Sequence, residues 1–231
     1  LPQWMTSTVE IKTYRVVNPL TDSLFLSRYM SCDLGRALNQ SGVVNVFQYG
    51  SNGTACLMRS KGLAPDHTQV LWNSVSLNSI TLGQADLSLI PMFFLDQIHI
   101  SSPSYFLQQP NGGIGGTVNI STQLKKMETE RFWYQSEISS LRNIWNGIGC
   151  QIVQNDRMNR PVVIQLRAFN SNNANEFRYR NPYASGESWE SQSQNNSNSR
   201  GLQIQFRKQW TKGNWCGQFW TIDRMTQLPS I

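Results

Sequence analysis

Arg200-Gly201-Leu202-Gln203-Ile204-Gln205-Phe206-Arg207-Lys208-Gln209 decides the fold: Leu202, Ile204 and Phe206 share one side, and Gln203, Gln205 and Arg207 the other. Successive side chains of a strand point to opposite faces, so this alternation marks a sheet with two unlike faces. The pattern recurs upstream. Val162, Ile164, Leu166 and Ala168 oppose Val163, Gln165, Arg167 and Phe169, and Phe132, Tyr134 and Ile138 oppose Trp133, Gln135 and Glu137. Trp145–Val153 and Trp215–Ile222 repeat it less regularly. Five strands of about 9–11 residues are expected, the length that crosses a bilayer when tilted. A soluble sandwich would turn the apolar side to a shared core. A membrane barrel would turn it to lipid and the polar side to a wet lumen. Trp133, Tyr134, Trp145, Trp210, Trp215 and Trp220 lie near strand ends as interface aromatics do, which favours the barrel.

The connections differ in length. Leu141–Asn146, Asn155–Arg160 and Thr211–Asn214 are short, whereas residues 170–199 form a long, Asn- and Ser-rich connection. Before residue 124 the texture is different. Thr8–Tyr14 is extended and β-prone. A helix follows, capped by Ser31 with Asp33 in its first turn, burying Leu34, Ala37 and Leu38 and stopping at Gly42. Short strands are expected at 43–47, 54–59, 68–72 and 97–100, with a helix over 86–96 that has Pro91 near its start. Asn111-Gly112-Gly113-Ile114-Gly115-Gly116 leads into a further strand at 117–120. The expected fold is thus a small mixed α/β unit followed by about five antiparallel strands.

Composition narrows the function. Only 15% of the 231 residues are charged, and Asn, Ser and Gln make up 67 of them. The net charge of +6 lies wholly after residue 123, but its arginines are scattered and form no phosphate-tracking stripe, so nucleic acid is not an expected partner. The longest apolar run, Leu89–Leu95, is far short of the roughly 20 residues of a membrane helix. Leu1-Pro2-Gln3 and the polar stretch after it do not read as a signal peptide, which a processed N-terminus or an expression start would explain equally well. Cys32, Cys56, Cys150 and Cys216 have no metal-ligand spacing and read as small buried hydrophobes in preference to disulfides. His67 and His99 lack a nucleophile-elbow serine. The glycine cluster is not followed by the Lys-Ser/Thr of a phosphate loop. Asp86 reads as a helix cap and Asp96 as a helix-end residue. Glu176, Glu187 and Glu190 are too sparse for a calcium cage. No catalytic residue, metal or cofactor is expected.

Two stretches go beyond generic patterning. His67–Asn78 followed by Leu82-Gly83-Gln84-Ala85-Asp86-Leu87-Ser88-Leu89-Ile90-Pro91, and then Asn111–Ile120, resemble the plug domain of TonB-dependent outer-membrane receptors. The resemblance is strongest to the cobalamin-receptor-like branch found in Bacteroidetes. Asp33–Leu38 with Gly42-Val43 resembles the family's plug helix, and Phe177–Asn181, Asp223-Arg224 and Leu228-Pro229 resemble its early barrel. Two positions depart from the family pattern: Lys61-Gly62 replaces Arg-Gly, and Ser74 replaces a turn glycine.

The resemblance implies an α/β plug domain with a TonB-box region over 1–123, and the first strands of an incomplete transmembrane β-barrel over 124–231. The barrel would be of the 22-stranded type, and five strands cannot close it. Thr8, Val9, Glu10, Ile11, Lys12 and Thr13 would form the TonB box, adding as a strand to the energy-transducing TonB-type protein. Lys61, Gly62, Gly83, Asp86, Gly112, Gly113, Gly115 and Gly116 would carry the plug motif. Ser51, Asn52, Ala64, Pro65, Asp66 and His67 would lie in ligand-facing loops. The implied partners are TonB, outer-membrane lipid, the remaining barrel strands on the same or a separate chain, and a surface lipoprotein. The implied activity is energy-coupled import of a scarce, bulky ligand such as a cobalamin or metal chelate. A gating subunit of a larger outer-membrane complex and a soluble β-rich binding module remain open as alternatives.

Overall fold

A computed structural model describes residues 23–42, 44–49, 54–60, 62–101, 113–124, 130–139, 142–174, 177–180, 189–192, 196–210 and 213–227. The TonB-box segment, Ser51, Asn52, Lys61 and Gly112 lie outside them. The N-terminal part opens with α1 (Ser23–Arg28) and α2 (Leu34–Ser41). Asp33, not Ser31, caps α2: its carboxylate accepts the Arg36 N–H at 2.8 Å, and Gly42 closes the helix at φ 67°. A hairpin, β1 (Asn45–Gln48) and β2 (Cys56–Arg59), packs beside it. β3 (Thr68–Trp72), β4 (Val75–Ser76), β5 (Gln97–Ser101) and β6 (Gly116–Ser121) form a mixed sheet in the order β4-β3-β6-β5, with β3 and β6 parallel.

The helix expected over 86–96 is instead two 3-10 turns, Leu87–Leu89 and Met92–Phe94. Pro91 supplies no N–H and biases Ile90 to extended backbone. The segment pairs with the chain ahead of α2: Leu34 N donates to Ile90 O at 2.7 Å, and Met92 N to Cys32 O at 3.0 Å. Asp86 does cap, accepting the Ser88 N–H, and it also accepts that of Cys56, each at 2.9 Å.

The five expected strands form one antiparallel sheet. They are β7 (Arg131–Ser139), β8 (Asn143–Asn155), β9 (Pro161–Asn173), β12 (Ser197–Trp210) and β13 (Gly213–Thr226), in the order β13-β12-β9-β8-β7. β7 has the expected length. The other four run to 13 or 14 residues, because the backbone ladder continues past the apolar band into Asn- and Ser-rich ends such as Ser199↔Ser171 and Asn143↔Asn173. The long connection holds a hairpin of its own, β10 (Phe177–Arg180) with β11 (Trp189–Gln192).

The sheet is inverted relative to a soluble sandwich. Its polar face is the buried one: Gln203 is 1% exposed, Gln205 4% and Arg167 5%. The opposite face presents Ile148, Ile164, Ile204, Phe206 and Phe219 outward. Among the described residues of this sheet, Trp145 and Phe169 are the buried ones that join the core cluster of the N-terminal part, meeting Phe93 and Phe94 edge-on at ring distances of 5.2 and 5.4 Å. Two glycines make room for them. A Cβ on Gly147 would stand 2.3 Å from the Trp145 ring, and one on Gly201 2.3 Å from the Phe169 ring.

Three of the six expected interface aromatics therefore belong elsewhere. Trp145 is buried, Trp220 stacks on Trp72 at 4.9 Å, and Trp133 lies 5.8 Å from the Arg167 guanidinium. Tyr134, Trp210 and Trp215 do face outward. The four cysteines are all free, but only Cys56 is buried, which corrects the expectation of four buried hydrophobes.

Candidate functional site

The chemistry-bearing residues gather in two places. The first is the interface between the mixed sheet and the polar face of the five-stranded sheet. The loop after Phe94 brings Asp96 to the Arg167 guanidinium at 2.7 Å, and Arg167 also donates to Phe93 O at 3.0 Å. Asp96 thus holds an ion pair and is not a helix-end residue. It also accepts the Gln123 N–H at 2.8 Å.

Beside it, Thr122 is the hub of a polar network. Its hydroxyl donates to Phe94 O at 2.6 Å and accepts from Trp72 Nε1 at 2.9 Å and Gln203 Nε2 at 3.3 Å. Its N–H donates to Asn73 Oδ1 at 3.1 Å, and Asn73 Nδ2 donates to Gln218 Oε1. Buried polar groups need partners, and here each side of the interface supplies partners for the other. Sequence reading missed Asp96–Arg167, Thr122, Gln203 and Gln218. Their one signal was polar residues at regular alternation inside strands.

The second place is the far end of the parallel pair. Trp72 meets Trp220, and Asn73 meets Gln218, two residues nearer the 211–212 turn. β3 and β6 therefore run toward that turn, and their first residues lie toward the end that carries the 174–196 connection. There the structure unites several of the sequence-predicted residues. His67 O accepts the Gly115 N–H at 2.8 Å, and a Cβ on Gly113 would stand 2.2 Å from that same oxygen. A Cβ on Gly83 would approach Asp66 Cβ at 3.3 Å, and Gly116 takes a φ of 113°. The glycines serve close backbone approach, not phosphate binding. Ala64 and Asp66 are exposed and Pro65 and His67 half-buried at this apex, with His67 Nδ1 3.4 Å from Asp66 Oδ1. Gly62 sits nearby in a turn with φ 81°.

Burial raises the carboxyl of Asp33 above its usual range, against the Arg36 N–H and the charge of Arg224. Burial likewise pushes the Cys56 thiol up to about 12, so it stays protonated. Among the described residues, no group of three or more His, Cys, Asp or Glu could hold a metal ion.

No protein-family model matches the chain. Its sequence is 34% identical over 79 residues to the vitamin B12 transporter BtuB of Vibrio vulnificus (strain YJ016), which covers 34% of this chain and 13% of that protein. The siderophore receptor PirA from Acinetobacter baumannii matches in structure with a TM-score of 0.53 at 15% identity, over 85% of this chain and 30% of the receptor. The ferric enterobactin receptor PfeA in complex with BCV-L6 gives 0.52 at 15% identity, over 85% and 32%. A PfeA mutant from Pseudomonas aeruginosa gives 0.51 at 17%, over 80% and 29%. The fold matches part of these solved receptors. These relatives are transporters and receptors, not enzymes. The chain spans about a third of the solved receptors and about an eighth of the curated transporter.

Proposed function

We propose that the chain forms the N-terminal part of a TonB-dependent outer-membrane receptor that imports a scarce, bulky ligand. In this reading residues 1–123 form the TonB-box region and plug, and residues 124–231 the first strands of the surrounding barrel. The observation that carries it is the inverted sheet. A lipid-facing apolar side and a lumen-facing polar side are what a barrel wall requires, and here the polar side is packed on the α/β part. In water the outward row of Ile and Phe would be an aggregation liability, which disfavours the soluble binding module.

The long 174–196 connection then faces outside and the short 156–160 and 211–212 turns face the periplasm, as in outer-membrane barrels. This sets the Ala64–His67 apex and Gly113–Gly116 toward incoming ligand, with Ser51 and Asn52 as further loop candidates. Thr8–Thr13 would serve as the box that TonB pulls by strand addition. Completion of the wall requires further strands, because open edges cannot sit in lipid. Similarity to a vitamin B12 transporter and to siderophore receptors supports a cobalamin or metal chelate as the first ligands to test. The placement in a Bacteroidetes-type branch, with a surface lipoprotein partner, rests on the motif resemblance alone.

The test uses the gene's natural product in its host. An epitope inserted at Ser185 is expected to be detected on intact cells, and one between Thr211 and Lys212 only after the outer membrane is permeabilised. Accumulation of the imported ligand is expected to stop when TonB is deleted. Detection in the reverse order, or recovery of the protein in the soluble fraction, overturns the reading.

A further inference from the structure

The outward face of the five-stranded sheet ends differently at its two rims. By alternation β12 places Leu202, Ile204, Phe206, Lys208 and Trp210 on that face, and the last two leave the apolar band at the rim of the 156–160 and 211–212 turns. Lys208 stands opposite the exposed Trp215 on β13 and Val162 on β9. Just beyond, the Trp210 ring carries two cations: the Arg160 guanidinium at 4.8 Å and the Lys208 ammonium at 5.0 Å from its centroid. The negative face of the ring attracts both and fixes where they sit.

Both cations draw on one carboxylate. Asp156 Oδ1 accepts the Met158 and Arg160 N–H groups at 2.8 and 3.0 Å, which closes the turn. Its Oδ2 is left for Arg160 Nε at 3.2 Å and Lys208 Nζ at 3.6 Å, the latter too long for a hydrogen bond. Arg160 Nη2 rests on the thioether of the exposed Met158, a weak acceptor that a phosphate oxygen would displace. Exposed Arg157 adds a charge in the same turn, and the sequence adds Lys212 in the next. The opposite rim is balanced. There Arg200 pairs with Asp223 at 2.8 Å, and its row continues through Asn170 and Asn146 to Ser136, whose hydroxyl donates to Asn146 Oδ1 at 2.8 Å. Trp210 and Trp215, the outward-facing tryptophans described in this sheet, both lie at the cationic rim.

We propose that this rim is a headgroup site for an anionic glycerophospholipid, its phosphate taken by Arg160 and Lys208 and its glycerol lying beside Trp210 and Trp215. A guanidinium matches phosphate geometry, and an ammonium on a flexible stem adds a point charge. Long basic side chains that leave an apolar surface carry their charge up to the headgroups, where tryptophan also settles. A zwitterionic headgroup brings a cation of its own to compete with Arg160 and Lys208. An anionic one does not, so the site selects by net charge. The inference deepens the receptor reading and rests on it, because it needs the outward face to lie in lipid.

The test uses the gene's natural product in vesicles of equal phosphatidylglycerol and phosphatidylcholine. Photoreactive benzoylphenylalanine replaces Trp215 at the cationic rim or, in a second protein, Thr221 near the balanced one, and crosslinked lipids are identified by mass spectrometry. At 215 phosphatidylglycerol is expected in excess by about tenfold or more, and at 221 in the vesicle proportion. Lys208→Gln should cut the excess at 215 about fivefold, and Arg160→Gln with Lys208→Gln should bring it to the vesicle proportion. Asp156→Asn keeps an acceptor for the turn but removes the charge that competes with the phosphate, so the excess should rise. An excess that is equal at 215 and 221, that survives Lys208→Gln unchanged, or that falls in Asp156→Asn overturns the proposal and leaves the receptor reading standing. Failure of the unsubstituted protein to float with the vesicles overturns both. If the double variant does not float, Lys208→Gln alone decides.

Discussion

Removal of either partner of the Asp96–Arg167 pair should separate the two halves of the molecule energetically. Their side chains are 13% and 6% exposed and meet at 2.7 Å. At an effective dielectric of about 20, the gross attraction at that distance is about 6 kcal/mol, most of it offset by desolvation. Truncation of one partner is a different case, because it leaves the other charge buried and uncompensated at about 3–5 kcal/mol. In Asp96→Leu, Arg167 keeps the Phe93 and Gln165 oxygens as neutral acceptors, which places the expected loss at the lower end, about 3 kcal/mol. In Arg167→Met, the Asp96 carboxylate keeps the Gln123 N–H as its donor, and a similar or larger loss is expected. The double variant Asp96→Leu/Arg167→Met replaces both charges by apolar groups and should lie within about 1 kcal/mol of the parent. Urea titrations of the gene's natural product folded in detergent, followed by tryptophan emission, give all four stabilities for a double-mutant cycle. The cycle should return a coupling above about 2 kcal/mol. A coupling below about 0.5 kcal/mol would mean a pair screened by water as at a surface, and would refute the dry interface on which the fold description rests.

Further outcomes are expected at four positions. Ser74→Gly should stabilise the chain by about 0.5–1 kcal/mol in the same titration, because Ser74 holds a φ of 70° that glycine adopts without strain. Gly201→Ala should cost about 1–3 kcal/mol by pressing on the Phe169 ring, and Phe169→Leu in that background should recover part of the loss. Asp33→Ala should cost about 1 kcal/mol through the lost cap. Asp33→Asn keeps an acceptor and tests the raised carboxyl: ionisation of the wild-type group costs stability above its folded pKa, so wild type should gain on Asp33→Asn as pH falls from 7 toward 4, and a constant difference would reject the burial effect. Ile204→Lys lies mid-strand on the outward face; in the gene's natural product in lipid vesicles it should cost about 2–4 kcal/mol, against about 0.5 kcal/mol or less for a surface site in water.

The strands were legible because alternation over eight or more residues survives any tertiary context. Val163, Gln165 and Arg167 are buried together, and Ile164, Leu166 and Ala168 face out, as the pattern divides them. Which face is buried was not legible, because alternation is symmetric under exchange of lipid and lumen. The aromatics favoured the polar-inward choice that the structure shows, but only three of the six serve as outward aromatics: Trp145 and Trp220, spaced like interface anchors, pack between the sheets. The glycines at 147 and 201, each directly opposite Phe169, were the usable sign that large rings pack inward there. The candidate site was less legible still. Asp96 and Arg167 are 71 residues apart, and nothing local to either names its partner.

Among the described residues, the hydrogen bonds between the N-terminal part and the five-stranded sheet involve Asn73, Phe93, Phe94, Asp96 and Thr122. These residues lie at the ends of β3 and β6 and in the segment before β5, within a few residues of the passage into β7. The Ala64–His67 apex and the glycines around residue 115 instead bond to one another. A pull on the N-terminal part that spared this band would tilt the apex while the base held; one that broke it would have to expose the Arg167 guanidinium and the Thr122 network at once. The cost is concentrated at the base because buried charges and their acceptors lose most when separated. If the chain works as a receptor plug, rearrangement that spares the Asp96–Arg167 pair is the inexpensive route, and the ligand-facing end is the part free to take it.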